Sequence, residues 1–357
     1  MKQGLTLWLA AGLLLTGCSG LPVPREMGDM ALLRTIGVDA RGAELEVTAS
    51  AGRVEGGQQG EGEPAVTLSA RRESLTAACL AMQGMSSRHI FFGHVDQLLL
   101  GERLAERGVQ PVLDCFAQDA ELSLGTRLWL IRGAEAGAAV ASGGEEGADV
   151  RLATLQADGK QGDAPRSRTV GEVYTDLLEL GSAYVPALGL TREEPLTGQG
   201  YGVLTAGGLA GYLEGDEAQG LELLAGRLSR VAVGQTLGDN QVSVQLSGGR
   251  ARSGFELQDG ELAGLWVECR AEGRLKEFSA PLSREEQETL KIRLEAELRQ
   301  SVEAALARLQ EWRTDCTGLG VRAALLHPSQ WRRVQAEWPQ RFAGLPVRVE
   351  VQVTVER

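Results

Sequence analysis

Histidine is scarce, with three in 357 residues. The five cysteines are scattered, none forms a CxxC pair, and none stands near a histidine at zinc-ligand spacing. That leaves little material for a histidine- or cysteine-based active site or metal centre. The GxSxG elbow, the P-loop and the GxGxxG phosphate signature are missing. Lysine is nearly absent: Lys2, Lys160, Lys276 and Lys291 are the four among 36 basic residues, a coding bias to which no function is attached. Basic residues are also outnumbered by 48 acidic ones, for a formal charge of −12, which disfavours general binding to nucleic acid. Aromatic residues make up 4%. What is present is ordinary globular material, 43% apolar and 24% charged, at a length that suits two or three domains. Forty-seven glycines point to many turns and loosely built loops.

Apolar runs of membrane-spanning length are missing as well. Leu5–Leu15, behind Met1-Lys2, has eleven residues where a permanent span needs about 20. This is the size of a secretory h-region. It ends in Leu15-Thr16-Gly17-Cys18: a large aliphatic residue, two small ones and a cysteine, the bacterial lipobox pattern. The small residues fit a peptidase active site, and the Cys18 thiol is the nucleophile that accepts diacylglycerol. The expectation is a signal peptide over 1–17, cleavage before Cys18 and a lipid-anchored, extracytoplasmic chain. Acyl chains contribute about 0.8 kcal/mol per buried CH₂, so they would hold the body at the membrane. Loss of Lys2 leaves the mature chain at −13, which anionic lipid would repel weakly, so attachment is expected from the acyl chains or from a partner protein. Such a location permits disulfides. Cys79, Cys115, Cys269 and Cys316 allow three pairings, and free thiols on a helix pattern (Cys79) and a strand pattern (Cys269) are the favoured reading.

Residues 18–24, with Gly20, Pro22 and Pro24, read as a tether. Arg25–Leu33 reads as a helix, Arg34–Val38 and Glu44–Ser50 as a hairpin around Asp39-Ala40-Arg41-Gly42, and Gly52–Pro64 as a mobile loop. Strands at Val66–Leu68, Val95–Leu100 and Leu124–Ile131 alternate with helices at Glu73–Gln83 and Glu102–Arg107 and one opened by Pro111. Ala141–Gly171, rich in Gly, Asp, Glu and Arg, reads as a loose connection, followed by a helix at Val173–Leu180. An N-terminal α/β region therefore spans 25–190, with two subdomains. A C-terminal α+β domain spans 200–357. It starts with short strands at Tyr201–Leu204 and Leu209–Leu213, a helix at Glu217–Leu224, and strands at Gln241–Leu246 and Leu265–Glu272. Ser283-Arg284-Glu285-Glu286 is a capping box. Behind it Leu290, Leu294, Leu298, Val302, Ala305, Leu309 and Trp312 recur every three or four residues, with Glu288, Arg299, Glu303 and Arg308 opposite. One long helix over about 284–313 should lie across a sheet. The sheet would include the final strand, in which Val347, Val349, Val351, Val353 and Val355 alternate with polar residues. The fold class is α+β: a multi-domain protein of mixed sheets with packed helices.

His89 and His94 stand five apart, which suits neither face of a strand nor a helical pair for a metal. Asp114 and Asp119 read as helix surface. No catalytic residue, metal ligand or cofactor site emerges. Four groups of residues, in chain order, carry a resemblance. They are Arg25-Glu26-Met27 with Ile36-Gly37-Val38-Asp39; Phe92-Gly93-His94 leading through Leu98–Glu102 to Leu104–Val109; Gly200–Leu204 with Leu209–Leu213 and Gly220-Leu221; and Asp315, Gly318-Leu319-Gly320, Pro328, Trp331, Trp338, Phe342 and the valine strand. Together with the lipobox, they resemble the Ger(x)C family, the lipoprotein C subunits of nutrient germinant receptors in spore-forming bacteria. Leu204, where an aromatic is usual, Gln118, where a basic residue is usual, and Cys316-Thr317, in place of an apolar-aromatic pair, mark a divergent member. The resemblance implies a three-domain mixed α/β protein on the outer face of the inner spore membrane. It also implies work beside integral-membrane A-type and B-type subunits, with the nutrient met mainly by the latter, and no enzymatic activity. The competing expectation is a solute-binding lipoprotein of a transporter; few aromatics and two dissimilar halves weigh against it.

Overall fold

The computed structural model describes residues 30–52, 64–162, 164–191 and 196–356. The first half of the chain builds one ten-stranded mixed sheet. Its elements are β1 (Met30–Arg41), β2 (Glu44–Ala51), β3 (Val66–Arg72), α1 (Leu75–Met85), β4 (His89–Phe91), β5 (Gln97–Gly101), α2 (Glu102–Arg107), α3 (Gln110–Gln118), β6 (Arg127–Arg132), α4 (Ala136–Ala141), α5 (Ala148–Gln161), β7 (Arg168–Thr169), α6 (Val170–Leu180), β8 (Ser182–Gly189), β9 (Thr197–Thr205) and β10 (Gly208–Leu213). The strand order is β10-β9-β8-β6-β5-β1-β2-β3, with β4 on β1 and β7 on β6. The four central strands β1, β5, β6 and β8 run parallel, and antiparallel hairpins flank them.

Central parallel strands are covered on both faces, which is why Gln97–Gly101 and Leu128–Ile131 are buried throughout. Leu98, Leu100, Leu128 and Leu130 face a layer that includes α1, α3 and α6; Leu99, Trp129 and Ile131 face α4 and α5. Two sequence expectations give way here. Residues 30–33, read as the end of a helix, begin β1, because Met30–Leu32 find a parallel partner in His89–Phe91. Residues 141–171 are not a loose connection. Ala148, Leu152 and Leu155 make an apolar stripe on α5 that packs against Trp129, Ile131 and Leu188. The glycines that flank α5 and its own small residues hide the stripe. The rest of the predicted Arg25–Leu33 helix, and residues 53–63 of the expected loop, lie outside the described residues. The free thiols of Cys79, Cys115, Cys269 and Cys316 agree with the favoured reading.

The strands that follow Gly200 continue this sheet: Tyr201 pairs with Pro186 and Leu213 with Tyr201. The second sheet starts later. After α7 (Gly215–Leu224) come β11 (Leu228–Leu237), β12 (Asn240–Gln258), β13 (Glu261–Phe278), α8 (Arg284–Glu311), the short helices α9 (Leu319–Ala324), α10 (Pro328–Val334) and α11 (Trp338–Gly344), and β14 (Val347–Glu356). The order is β11-β12-β13-β14, and β14 runs parallel to β13 in continuous register from Leu265↔Val347 to Arg274↔Glu356.

Helix α8 lies across this sheet as its pattern requires. The Ser283 hydroxyl accepts the Glu286 N–H and Glu286 accepts the Ser283 N–H, closing the capping box. Leu290, Leu294, Leu298, Val302, Ala305, Leu306 and Leu309 are buried against Val244, Leu246, Cys269, Val351 and Val353 in one cluster. At 28 residues the helix is about 42 Å long. Its polar side chains also meet one backbone group on each sheet edge: Glu295 accepts the Val353 N–H (3.0 Å), and Arg293 donates to the Thr236 carbonyl (2.6 Å). Gly220 lets α7 meet α8 directly, since a Cβ there would lie 2.0 Å from the Ser301 carbonyl oxygen.

Leu298→Ala, at the centre of this contact, should lower stability by about 2–5 kcal/mol in denaturant titrations, whereas Arg299→Ala on the exposed face should stay within about 0.5 kcal/mol.

Candidate functional site

Most residues that carry the sequence resemblance hold packing together. The Asp39 carboxylate accepts the N–H groups of Ala136 and Gly137 (both 2.8 Å) at the start of α4. Gly37 admits that helix, because a Cβ would stand 2.9 Å from the Ala136 backbone. Asp315 plays the same part at α9: it accepts from Leu319 and Gly320 (both 2.8 Å) and from the Trp338 indole (2.9 Å). Burial pushes the Asp315 carboxyl up, against the pull of those donors. Trp338 sits in an aromatic cluster with Phe255, Trp331 and Phe342, and His327 stacks on Phe255. His94 meets the Phe91 ring edge-on. Among the described residues, no three His, Cys, Asp or Glu side chains converge to hold a metal ion.

Polar chemistry converges instead where the two sheets meet. A cleft of about 400 Å³ is lined by Arg127 at the start of β6, Gln156 of α5, Arg166, Ser167 and Arg168 on the approach to β7, and Glu172 of α6. Tyr184 of β8, Tyr201 of β9, Glu222 of α7, and Gly226 with Arg227 before β11 complete the lining. Its floor is a buried hydrogen-bond chain. The Arg166 N–H donates to the Tyr201 hydroxyl (2.7 Å), and that hydroxyl donates to Glu222 Oε1 (2.5 Å). Glu222 also accepts the Ser229 N–H (2.7 Å) and hydroxyl (3.1 Å).

The arginines are placed by further contacts across the seam. Arg168 donates to the Tyr184 carbonyl (3.0 Å) and to Asp176 (2.7 Å), with its guanidinium carbon 4.2 Å from the centre of the Tyr184 ring. Arg227 donates to Glu172 (3.0 Å), and Arg166 to the Arg227 carbonyl (3.0 Å). Elsewhere between the two sheets, Gly162 ends α5 at φ +99°, where a Cβ would fall 1.5 Å from the Arg230 carbonyl oxygen. Only a glycine brings the two backbones this close.

The predicted site residues Leu15, Thr16, Gly17 and Cys18 lie outside the described residues. The cleft was missed in the sequence. Its arginines are spread from position 127 to 227 on separate elements, so no local spacing reveals them. The one available signal was Arg166-Ser167-Arg168 within the segment read as a loose connection.

Two family models cover the chain in tandem. The spore germination protein N-terminal domain matches residues 24–190, and the model described as spore germination B3/GerAC like, C-terminal, matches residues 199–357. The chain belongs to the Ger(x)C family. This is a family of spore germination proteins and not a known enzyme family. This Ger(x)C chain is 26% identical over 373 residues to the putative spore germination protein YfkR of Bacillus subtilis (strain 168), covering 97% of this chain and 94% of the relative. It is 21% identical over 388 residues to spore germination protein KC of the same organism, covering 98% and 94%. The crystal structure of the GerBC protein superposes with a TM-score of 0.61 at 16% identity, over 90% of this chain and 97% of that one, and so shares its fold. Among the described residues, no helix is long and apolar enough to cross a membrane.

Burial raises the Glu222 carboxyl above its ordinary 4.5, although the bonds from Tyr201 and Ser229 favour the anion. The folded chain then keeps a proton that the unfolded chain releases above pH 4.5. The stability contributed by Glu222 should be complete below that pH and lost as pH rises through the raised value. Glu222→Gln mimics the protonated form and should remove this term. In denaturant titrations at stepped pH, the difference between parent and variant should change along that window; a constant difference would show that Glu222 does not titrate there.

Proposed function

We propose that this Ger(x)C protein is the membrane-anchored lipoprotein subunit of a nutrient germinant receptor, with a coupling or scaffolding role in triggering spore germination. Its place is the outer face of the inner spore membrane, held there by acylated Cys18, and its partners are the integral-membrane A-type and B-type receptor subunits. The observation that carries the reading is the tandem match of both halves of the chain to spore germination domains, in order and over nearly its whole length. Residues 1–17 would be removed as the signal peptide and 18–24 would serve as tether. The N-terminal region (25–190) and the C-terminal domain (200–357) would form the body.

The physical case for a non-catalytic role rests on what the family-like residues do. Asp39 and Asp315 are spent on helix N-termini, and Gly37, Gly220 and Gly320 on close approaches. Those are demands of a rigid shape. A lipid anchor confines that shape to a thin layer beside its partners, so the effective concentration rises and modest interfaces suffice. No nucleic acid and no cofactor enters this reading.

Cys18→Ala should shift the protein out of the membrane fraction of spores and abolish the germination response to nutrient. Retention in the membrane together with a normal response would overturn the anchoring role.

A further inference from the structure

The cleft at the seam holds more positive charge than its own carboxylates answer. Arg127, Arg166, Arg168 and Arg227 line it, against Glu172 and Glu222, with Asp176 behind Arg168. Glu172 is engaged by Arg227. Both oxygens of Glu222 are taken by Tyr201 and Ser229, although the charge of Arg166 still reaches it. Arg127 makes no side-chain hydrogen bond or ion pair among the described residues, and the Arg166 guanidinium meets a backbone carbonyl and no carboxylate. Arg168 is decisive. Its side chain is 4% exposed, yet its Nε is buried without an acceptor. A buried charged donor left unmet costs free energy, and this one lines a space large enough for a small molecule. Gln156 and Ser167 add neutral hydrogen-bonding groups to the same wall.

We propose that this cleft binds a small multivalent oxyanion, of the phosphate or polycarboxylate class. Guanidinium forks suit either group, since each presents paired oxygens to parallel N–H donors. The concave wall concentrates the field of the four arginines, which matters in a chain whose overall charge is −12. The ligand would sit between Arg127, Arg166 and Arg168 on the side of the large sheet and Arg227 on the side of the small one. It would therefore add to the bonds that join them. This proposal stands apart from the receptor role, because binding is read on the isolated protein whether or not the protein serves germination.

The test uses the full-length protein in an uncharged detergent. Inorganic phosphate and citrate are titrated by calorimetry and by thermal unfolding, with sodium chloride at matched ionic strength as the baseline. A saturable one-to-one response and a concentration-dependent rise in melting temperature are expected from at least one of the two anions. Arg127→Gln removes no hydrogen bond or ion pair and should melt like the parent in chloride; Arg166→Gln also loses the bond to the Arg227 carbonyl, so its binding is compared with its own chloride baseline. Each should weaken anion binding about tenfold or more. Neutral vesicles doped with phosphatidic acid provide the same phosphate on a lipid. The proposal is overturned by any of three results: no saturable response to either free anion up to about 10 mM, equal responses from parent and both variants, or binding to the vesicles alone.

Discussion

Tyr184, Tyr201, Val203 and Leu213 point away from the helices that cover the large sheet on its other face. They enter the same apolar cluster as α7, α8 and the inner face of β11–β14. The two sheets thus share a core, and the position of everything polar along the seam follows from it. Tyr201 shows the dependence most clearly. Its ring is buried in the shared cluster, while its hydroxyl receives the Arg166 N–H and donates to Glu222. A tyrosine with an apolar body and a polar tip is suited to end a core at a hydrogen-bonded margin. Here that margin becomes the floor of the cleft.

Two helix N-termini are finished by buried carboxylates. Asp39 sits on the central strand β1 and reaches α4; Asp315 follows α8 and reaches α9 and the Trp338 indole. Both carboxyls are pushed up by burial while backbone donors pull the other way. Each therefore matters chiefly through the N–H groups it satisfies, which would otherwise be orphaned at a buried helix start. Together with the glycines at close approaches, they fix how the helices dock on the sheets.

Surface ion pairs contribute in a different way. Arg41 bridges Glu46 and Glu135, and Arg348 bridges Glu256 and Glu350, all at partly or fully exposed positions. Such pairs contribute about 0–1 kcal/mol each. Stability rests instead on the two large apolar clusters and the smaller one under α4 and α5.

Periodicity alone revealed α8, with its capping box and leucine stripe, and the valine alternation of β14. Both signals are local, and one buried face is enough to write them. The apolar run at Val95–Leu100 announced a strand covered on both faces, and the cysteines showed no pairing pattern. Other features needed partners that lie far away in the chain. Met30–Leu33 is strand because His89–Phe91 lies beside it, and α5 packs with few large residues because Trp129 and Leu188 supply the bulk. Tyr201–Leu204 belongs to the first sheet because Ser182–Gly189 pairs with it, and Leu209–Leu213 follows by pairing with Tyr201–Leu204. The cleft is the extreme case: arginines a hundred residues apart become neighbours only when two sheets share a core. A side chain's place along a helix or strand is set by its neighbours in sequence. Which charges face one another across a seam is set by how the sheets dock.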